Sequence, residues 1–200
     1  MKLPIFPLNG AVLYPGTSLP LNIFEERYIE MINYSMSKDR KIGMIQKDES
    51  NNLYSVGCVG KIHSFNETAD GRYLISLLGS SCFKLKSEIN SIYSFRIIEV
   101  DLIDNLKIDC NLTESHKSRI LECYKKYINV KRISLDLKDV ESIGIEQLIK
   151  FIAMVSPFKD IEKQALLETL SIDDFYNKLI SIIELDTVDD ENGFLNKTIN

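Results

Sequence analysis

The apolar pattern of this 200-residue chain changes period once, just beyond Asp104, and that change constrains the fold more than any other feature. Before it, apolar residues come in short runs separated by turn signals, as in strands. After it they recur at three- and four-residue steps, as in helices packed along one face. The reading is an α+β chain, β-rich over residues 1–105 and helical over 106–186. Residues 187–200, with Asp189-Asp190-Glu191 and no apolar period, read as an acidic frayed tail.

In the β-rich half, Leu3 to Leu8 reads as a strand that Pro4 and Pro7 keep at a sheet edge or bend, because each proline lacks a ladder donor. Asn9-Gly10 and Pro15-Gly16 mark tight turns. Leu19 to Ile23 is extended, and Phe24, Tyr28, Met31, Ile32 and Met36 repeat at helical spacing, which predicts one early helix over 24–37. Four strands follow at 42–46, 56–65, 72–78 and 83–89. Asp70-Gly71 predicts a type I′ hairpin, with 61–65 antiparallel to 73–77. The run 95–102 alternates like a half-buried edge strand.

In the helical half, Ile120, Tyr124, Tyr127 and Ile128 define a helix starting near Thr113, where Thr113-x-x-His116 supplies a cap but no full capping box. Ile145 to Val155 is a second helix, stopped by Ser156-Pro157. Asp160 is read as the cap of a third, and Ser171-x-x-Asp174 as that of a fourth.

Composition bounds the function. Net charge is −5, with 44% hydrophobic residues. Lys plus Arg against Asp plus Glu is 21 to 20 over residues 1–160 and 3 to 9 over 161–200, so the acidity sits at one end. No apolar run has the roughly 18 to 20 residues of a membrane helix. The proline-punctuated start offers no signal-peptide core, and the expected location is the cytoplasm. The four cysteines form no CxxC pair, and with only His63 and His116 beside them they make no zinc set, so they read as reduced thiols.

No catalytic or cofactor motif emerges. Gly57-Cys58-Val59-Gly60-Lys61-Ile62 lacks the spacing of a phosphate-binding loop and puts Ile62 where a hydroxyl is needed. Its glycines read instead as kinks in a strand that allow close packing. His63 and His116 lie in a strand and at a helix start, without GxSxG or HExxH around them. Glu25-Glu26 and Asp173-Asp174 fall in first helical turns, where the helix dipole favours negative charge. What remains is aromatic surface: Phe6, Tyr14, Phe24 and Tyr28 cluster early in the chain. They either pack the core or line a groove for extended apolar polypeptide.

Three ordered motifs carry a resemblance: Leu3-Pro-Ile-Phe-Pro-Leu8, Val12-Leu-Tyr-Pro-Gly16, and Leu19-Pro-Leu-Asn-Ile-Phe-Glu-Glu-Arg-Tyr28. With the later strands, and with Glu162-Lys-Gln-Ala-Leu-Leu-Glu168, they resemble the amino-terminal, or LON substrate-binding, domain of Lon protease over about residues 3–185. The resemblance implies a PUA-like β pseudo-barrel with one early helix, followed by a helical bundle. It implies partners that are unfolded or tagged proteins and a second copy in a homodimer; a protease is a further expected partner, and no cofactor is expected.

The ATPase and Ser–Lys protease modules of that family have no room here, so the expectation is a stand-alone, non-enzymatic module, an adaptor in protein quality control. Its polypeptide-binding or architectural residues are taken as Phe6, Pro7, Pro15, Gly16, Phe24, Glu25, Arg27 and Tyr28. The alternative is an RNA-binding protein of PUA-like fold, with Lys84, Lys86 and Arg96 converging on Lys125 and Lys126.

Overall fold

The computed structural model describes residues 1–103, 111–135 and 142–197, with side chains through 188. It divides into two compact units, Met1–Asn105 with Pro157–Glu168, and Leu106–Ser156 with Thr169–Asn200. The grouping differs from the expected division in one respect: the helix after Pro157 belongs with the first 105 residues.

The first unit is a curled, mixed six-stranded sheet with two helices. Its strands are β1 (Lys2–Pro7), β2 (Ser18–Ile23), β3 (Lys41–Ile45), β4 (Val56–Glu67), β5 (Tyr73–Ile89) and β6 (Ile97–Leu102); α1 (Glu26–Met36) follows β2. The order is β2-β5-β4-β3-β1-β6, and β6 pairs with β5 as well as with β1, which gives the sheet its pseudo-barrel curl. β1 and β3 run parallel; the other pairings are antiparallel. Leu3, Ile5, Ile45, Val59, Phe83, Ile98 and Val100 fill the concave side.

Two expected strands, 72–78 and 83–89, are one. The break suggested by Gly79-Ser80-Ser81 is a bulge: Val59 pairs with Ser81 and Gly60 with Gly79, which leaves Ser80 extra, and its Oγ donates to the Val59 carbonyl at 3.1 Å. Nor is β6 an edge, since it hydrogen-bonds on both sides. The 70–71 turn is not type I′ either. Gly71 has φ +83° but Asp70 does not have a positive φ; Gly71 N–H bonds the Thr68 carbonyl and Thr68 N–H bonds the Arg72 carbonyl, as in a type I turn closed by a left-handed glycine.

The convex side is covered by apolar side chains and by helices. α1 starts at Glu26, because Phe24 and Glu25 are still outside the helix, and it buries Tyr28, Met31 and Ile32. The helix Asp160–Leu167 is tied to the sheet by several long-range bonds. Gln46 Nε2 donates to the Asp160 carbonyl and to Gln164 Oε1, both at 3.1 Å. Gln164 Nε2 in turn reaches the Val56 carbonyl at 3.1 Å. Tyr14 donates its hydroxyl to the Lys163 carbonyl, and Lys163 Nζ donates to the Gly10 carbonyl at 2.9 Å. The N-cap of this helix is Lys159, so Asp160 lies within it, and Asp160 accepts from the Gly10 N–H.

The second unit contains α2 (Glu114–Val130), α3 (Ile145–Val155) and α5 (Ile172–Lys197), the docked helix of the first unit being α4. At the start of α2, Thr113 N–H donates to His116 Nδ1 at 3.1 Å, so His116 completes a capping box that is usually closed by Glu or Gln. Ser171 Oγ accepts the Asp174 N–H, as its spacing predicts. α5 runs to Lys197, and the backbone of the expected frayed tail is helical over most of its length. Inside the unit, Ser156 Oγ donates to the Tyr124 hydroxyl, and Asp186 accepts from Lys131 Nζ at 2.8 Å.

Candidate functional site

The feature of the first unit most suited to recognition is a three-stranded ledge, β2–β5–β4, with β2 at the end of the strand order. Antiparallel partners share a face and alternate along the strand. Leu19, Leu21 and Ile23, opposite Leu77, Ile75 and Tyr73, therefore face one way; Ser18, Pro20 and Asn22, opposite Leu78, Ser76 and Leu74, face the other. The second face is open. Leu74 and Leu78 are 42% and 41% exposed, and Ser18 Oγ lies 2.7 Å from Ser76 Oγ between them.

Among the described residues, no strand pairs with the outer edge of β2. Gly79 N–H donates to the Thr17 carbonyl at 2.9 Å, which fixes the phase of the ladder. Hydrogen-bonded pairs alternate with non-bonded ones, so Leu19, Leu21 and Ile23 bond β5 and Ser18, Pro20 and Asn22 turn their backbone outward. Pro20 thus sits where its missing N–H weakens no bond. Phe24, 67% exposed, follows the last residue of this edge. At the hairpin end, Phe65 meets Tyr73 edge to face with centroids 4.8 Å apart, and the Tyr73 hydroxyl donates to Asn33 Oδ1 on α1.

The residues expected from sequence divide sharply. Phe6 and Tyr28 are buried against each other, edge to face at 4.3 Å. Burial pushes the Tyr28 hydroxyl pKa up, and the nearby Arg27 charge partly opposes this. Arg27 lies 4.5 Å from the Tyr28 ring and pairs with Glu25 at 2.7 Å, an exposed clamp over the start of α1. Pro7 ends β1 opposite Ile45. Pro15 is half-buried, and Gly16 turns with φ +82° to donate to the Gly79 carbonyl. Tyr14 is buried in the core, and of the early aromatics only Phe24 is open to solvent. Leu74 and Leu78 do not stand out in the sequence, because alternation shows that a strand has two faces without showing which one is covered.

The arrangement offers little to other chemistries. Gly57 and Gly60 lie within β4; a Cβ on Gly57 would collide with the Phe83 ring and stand 2.5 Å from the Met44 carbonyl, so the glycine serves packing. His63 is the extra residue of a bulge in β4 and is exposed. Among the described residues, no cluster of three His, Cys, Asp or Glu could hold a metal, and no helix is long and apolar enough to cross a membrane. Three of the five cations of the expected RNA stripe have carboxylate partners. Arg96 makes a two-pronged pair with Glu88 at 2.7 and 2.6 Å, Lys86 pairs with Asp101, and Lys126 with Glu122. Lys84, Lys86 and Arg96 lie in the first unit, Lys125 and Lys126 in the second.

Comparisons agree with this architecture. Residues 2–184 match the family described as the ATP-dependent protease La (LON) substrate-binding domain. Among characterised sequences, the Lon protease of Buchnera aphidicola subsp. Baizongia pistaciae is 27% identical over 198 residues, 92% of this chain and 25% of that protein. The Lon protease of Brevibacillus choshinensis is 25% identical, over 91% of this chain and 24% of its own length. The chain thus spans about a quarter of these relatives. Among solved structures, a Lon N-terminal domain protein from Xanthomonas campestris superimposes with TM-score 0.67 at 19% identity, covering 90% of this chain and 98% of that one. The N-terminal domain of the Mycobacterium avium complex Lon protease gives 0.67 at 16%, covering 92% and 98%. With the family match extending over nearly the whole chain, this protein belongs to the LON substrate-binding domain family.

Proposed function

We propose that the first unit is a non-catalytic recognition module that holds extended, apolar polypeptide segments along the β2 ledge. One observation carries this reading: the outward backbone of Ser18, Pro20 and Asn22 lies beside exposed Leu74 and Leu78 and ends at exposed Phe24. An added strand would gain main-chain bonds from the edge and seat alternate side chains on the leucines. Folded proteins bury such segments, so the natural ligands are unfolded or tagged chains. The names of the relatives make a protease the partner that would consume them, and an adaptor role in protein quality control follows. The family match supports substrate recognition in general; the ledge and the partner are the finer proposal.

The test is fluorescence anisotropy with a labelled, reduced and carboxymethylated model protein. Binding on the order of 10–100 µM is expected, as for small transient interfaces. A Leu78→Asp variant should bind at least several-fold more weakly. No binding at the upper limit, or equal binding by the variant, would overturn the assignment to the ledge.

A further inference from the structure

We propose that Cys58 and Cys82 form a thiol–disulfide exchange site, which closes to a cross-strand disulfide with a small-molecule disulfide such as oxidised glutathione. The two are direct partners in the β4–β5 register. The ladder phase decides whether a bond fits between them. Leu85 N–H donates to the Ser55 carbonyl at 2.8 Å, so residues 55 and 85 are a hydrogen-bonded pair. Counting by two, Gly57–Phe83 is bonded and Cys58–Cys82 is not. Independently, the Cys82 carbonyl accepts the Ile103 N–H at 2.9 Å, which turns its backbone away from β4.

Non-bonded pairs bring Cα atoms to about 4.5 Å with side chains on the same face, at the short end of the range that disulfides span. Both residues are present as thiols, Cys58 buried and Cys82 half-buried. They lie on the convex side of the sheet, under the last turn of α4, where Cys82 Sγ is 3.9 Å from the Leu167 carbonyl.

The exchange balances in two steps. The Cys82 thiolate attacks oxidised glutathione: the Cys82–glutathione S–S bond forms, the glutathione S–S bond breaks, and the released thiolate takes the proton. The Cys58 thiolate then attacks the Cys82 sulfur and expels the second glutathione as a thiol. Two protein thiols are oxidised, and one glutathione disulfide is reduced to two thiols. Excess thiol reverses both steps by the same exchange. It also removes the S–H directed at Leu167, so oxidation reaches α4.

The test equilibrates the folded chain in glutathione buffers of graded redox ratio, alkylates the remaining thiols, and maps peptides without reduction. The expected product is a Cys58–Cys82 linked peptide with the loss of two hydrogens, reversed by reduced glutathione. It should also form in a Cys110→Ser/Cys123→Ser variant whose circular dichroism matches the parent. In Cys58→Ser, Cys82 should instead retain a glutathione adduct. Faster hydrogen exchange over 160–167 in the oxidised form is expected. Full alkylation of both thiols at the most oxidising ratio, linkage to Cys110 or Cys123 instead, or a Cys58–Cys82 bond formed only in denaturant would overturn the proposal.

Discussion

Gln46 on the β3 side and Gln164 on α4 form a buried amide pair, each 2% exposed, with Gln46 Nε2 donating to Gln164 Oε1 at 3.1 Å. The pair joins residues 118 positions apart. Each amide also bonds a backbone carbonyl, Asp160 for Gln46 and Val56 for Gln164. Replacing Gln164 by Leu leaves the Val56 carbonyl and the Gln46 amide short of a partner in a buried site. A loss of about 1–3 kcal/mol is expected. Urea denaturation followed by circular dichroism would measure it, and in a cycle with Gln46→Leu the two losses should not add.

Phe6 and Phe24 separate packing from recognition. Phe6→Ala removes a buried ring that packs on Tyr28, and should cost about 3–5 kcal/mol. Phe24→Ala alters an exposed side chain and should leave stability within about 0.5 kcal/mol while weakening anisotropy-detected binding of the unfolded probe. A stability loss at Phe24 as large as that at Phe6 would show that it packs rather than recognises.

The division between what could and could not be read from sequence follows the range of the forces. α1 was legible because Tyr28, Met31 and Ile32 repeat within one helix, and the turns because Gly10 and Gly16 supply positive φ locally. The single strand β5 was not legible. Gly79 and two serines look like a stop, and only pairing with β4 shows that they bulge through. α4 looks like the other helices in its own residues; Gln46 and Val56, more than 100 positions away, assign it to the sheet. The site followed the same pattern. The early aromatics are neighbours in sequence, yet adjacent residues such as Ile23 and Phe24 end in opposite environments.

Two glycines test close packing against backbone freedom. At Gly57 an added methyl meets Phe83 and the Met44 carbonyl, and Gly57→Ala should destabilise by about 2 kcal/mol or more. At Gly10 the same change meets nothing within 4 Å but must adopt φ +81°, at a cost of about 1 kcal/mol. Melting both variants beside the parent would rank them.

The β4–β5 turn carries a pH signature. Hydrogen bonds from Arg72 and then Thr68 hold the Asp70 carboxyl at a pKa of about 2, against 3.8 when unperturbed. The folded value is the lower one, so the charged form favours the turn. That contribution is complete above the unfolded pKa and is lost as pH falls through about 2. Carboxyl-carbon NMR should give a midpoint near 2 for Asp70, and Arg72→Ala should return it toward 3.8.

Pro20 has a consequence beyond its own strand. Of the three residues whose backbone faces outward along β2, only Ser18 and Asn22 carry an N–H, so an incoming strand finds a gap at the centre. Its attachment is two short grips rather than a continuous zipper. A segment held that way lets go readily, and the same interruption keeps one copy of the chain from serving as an endless template for the next.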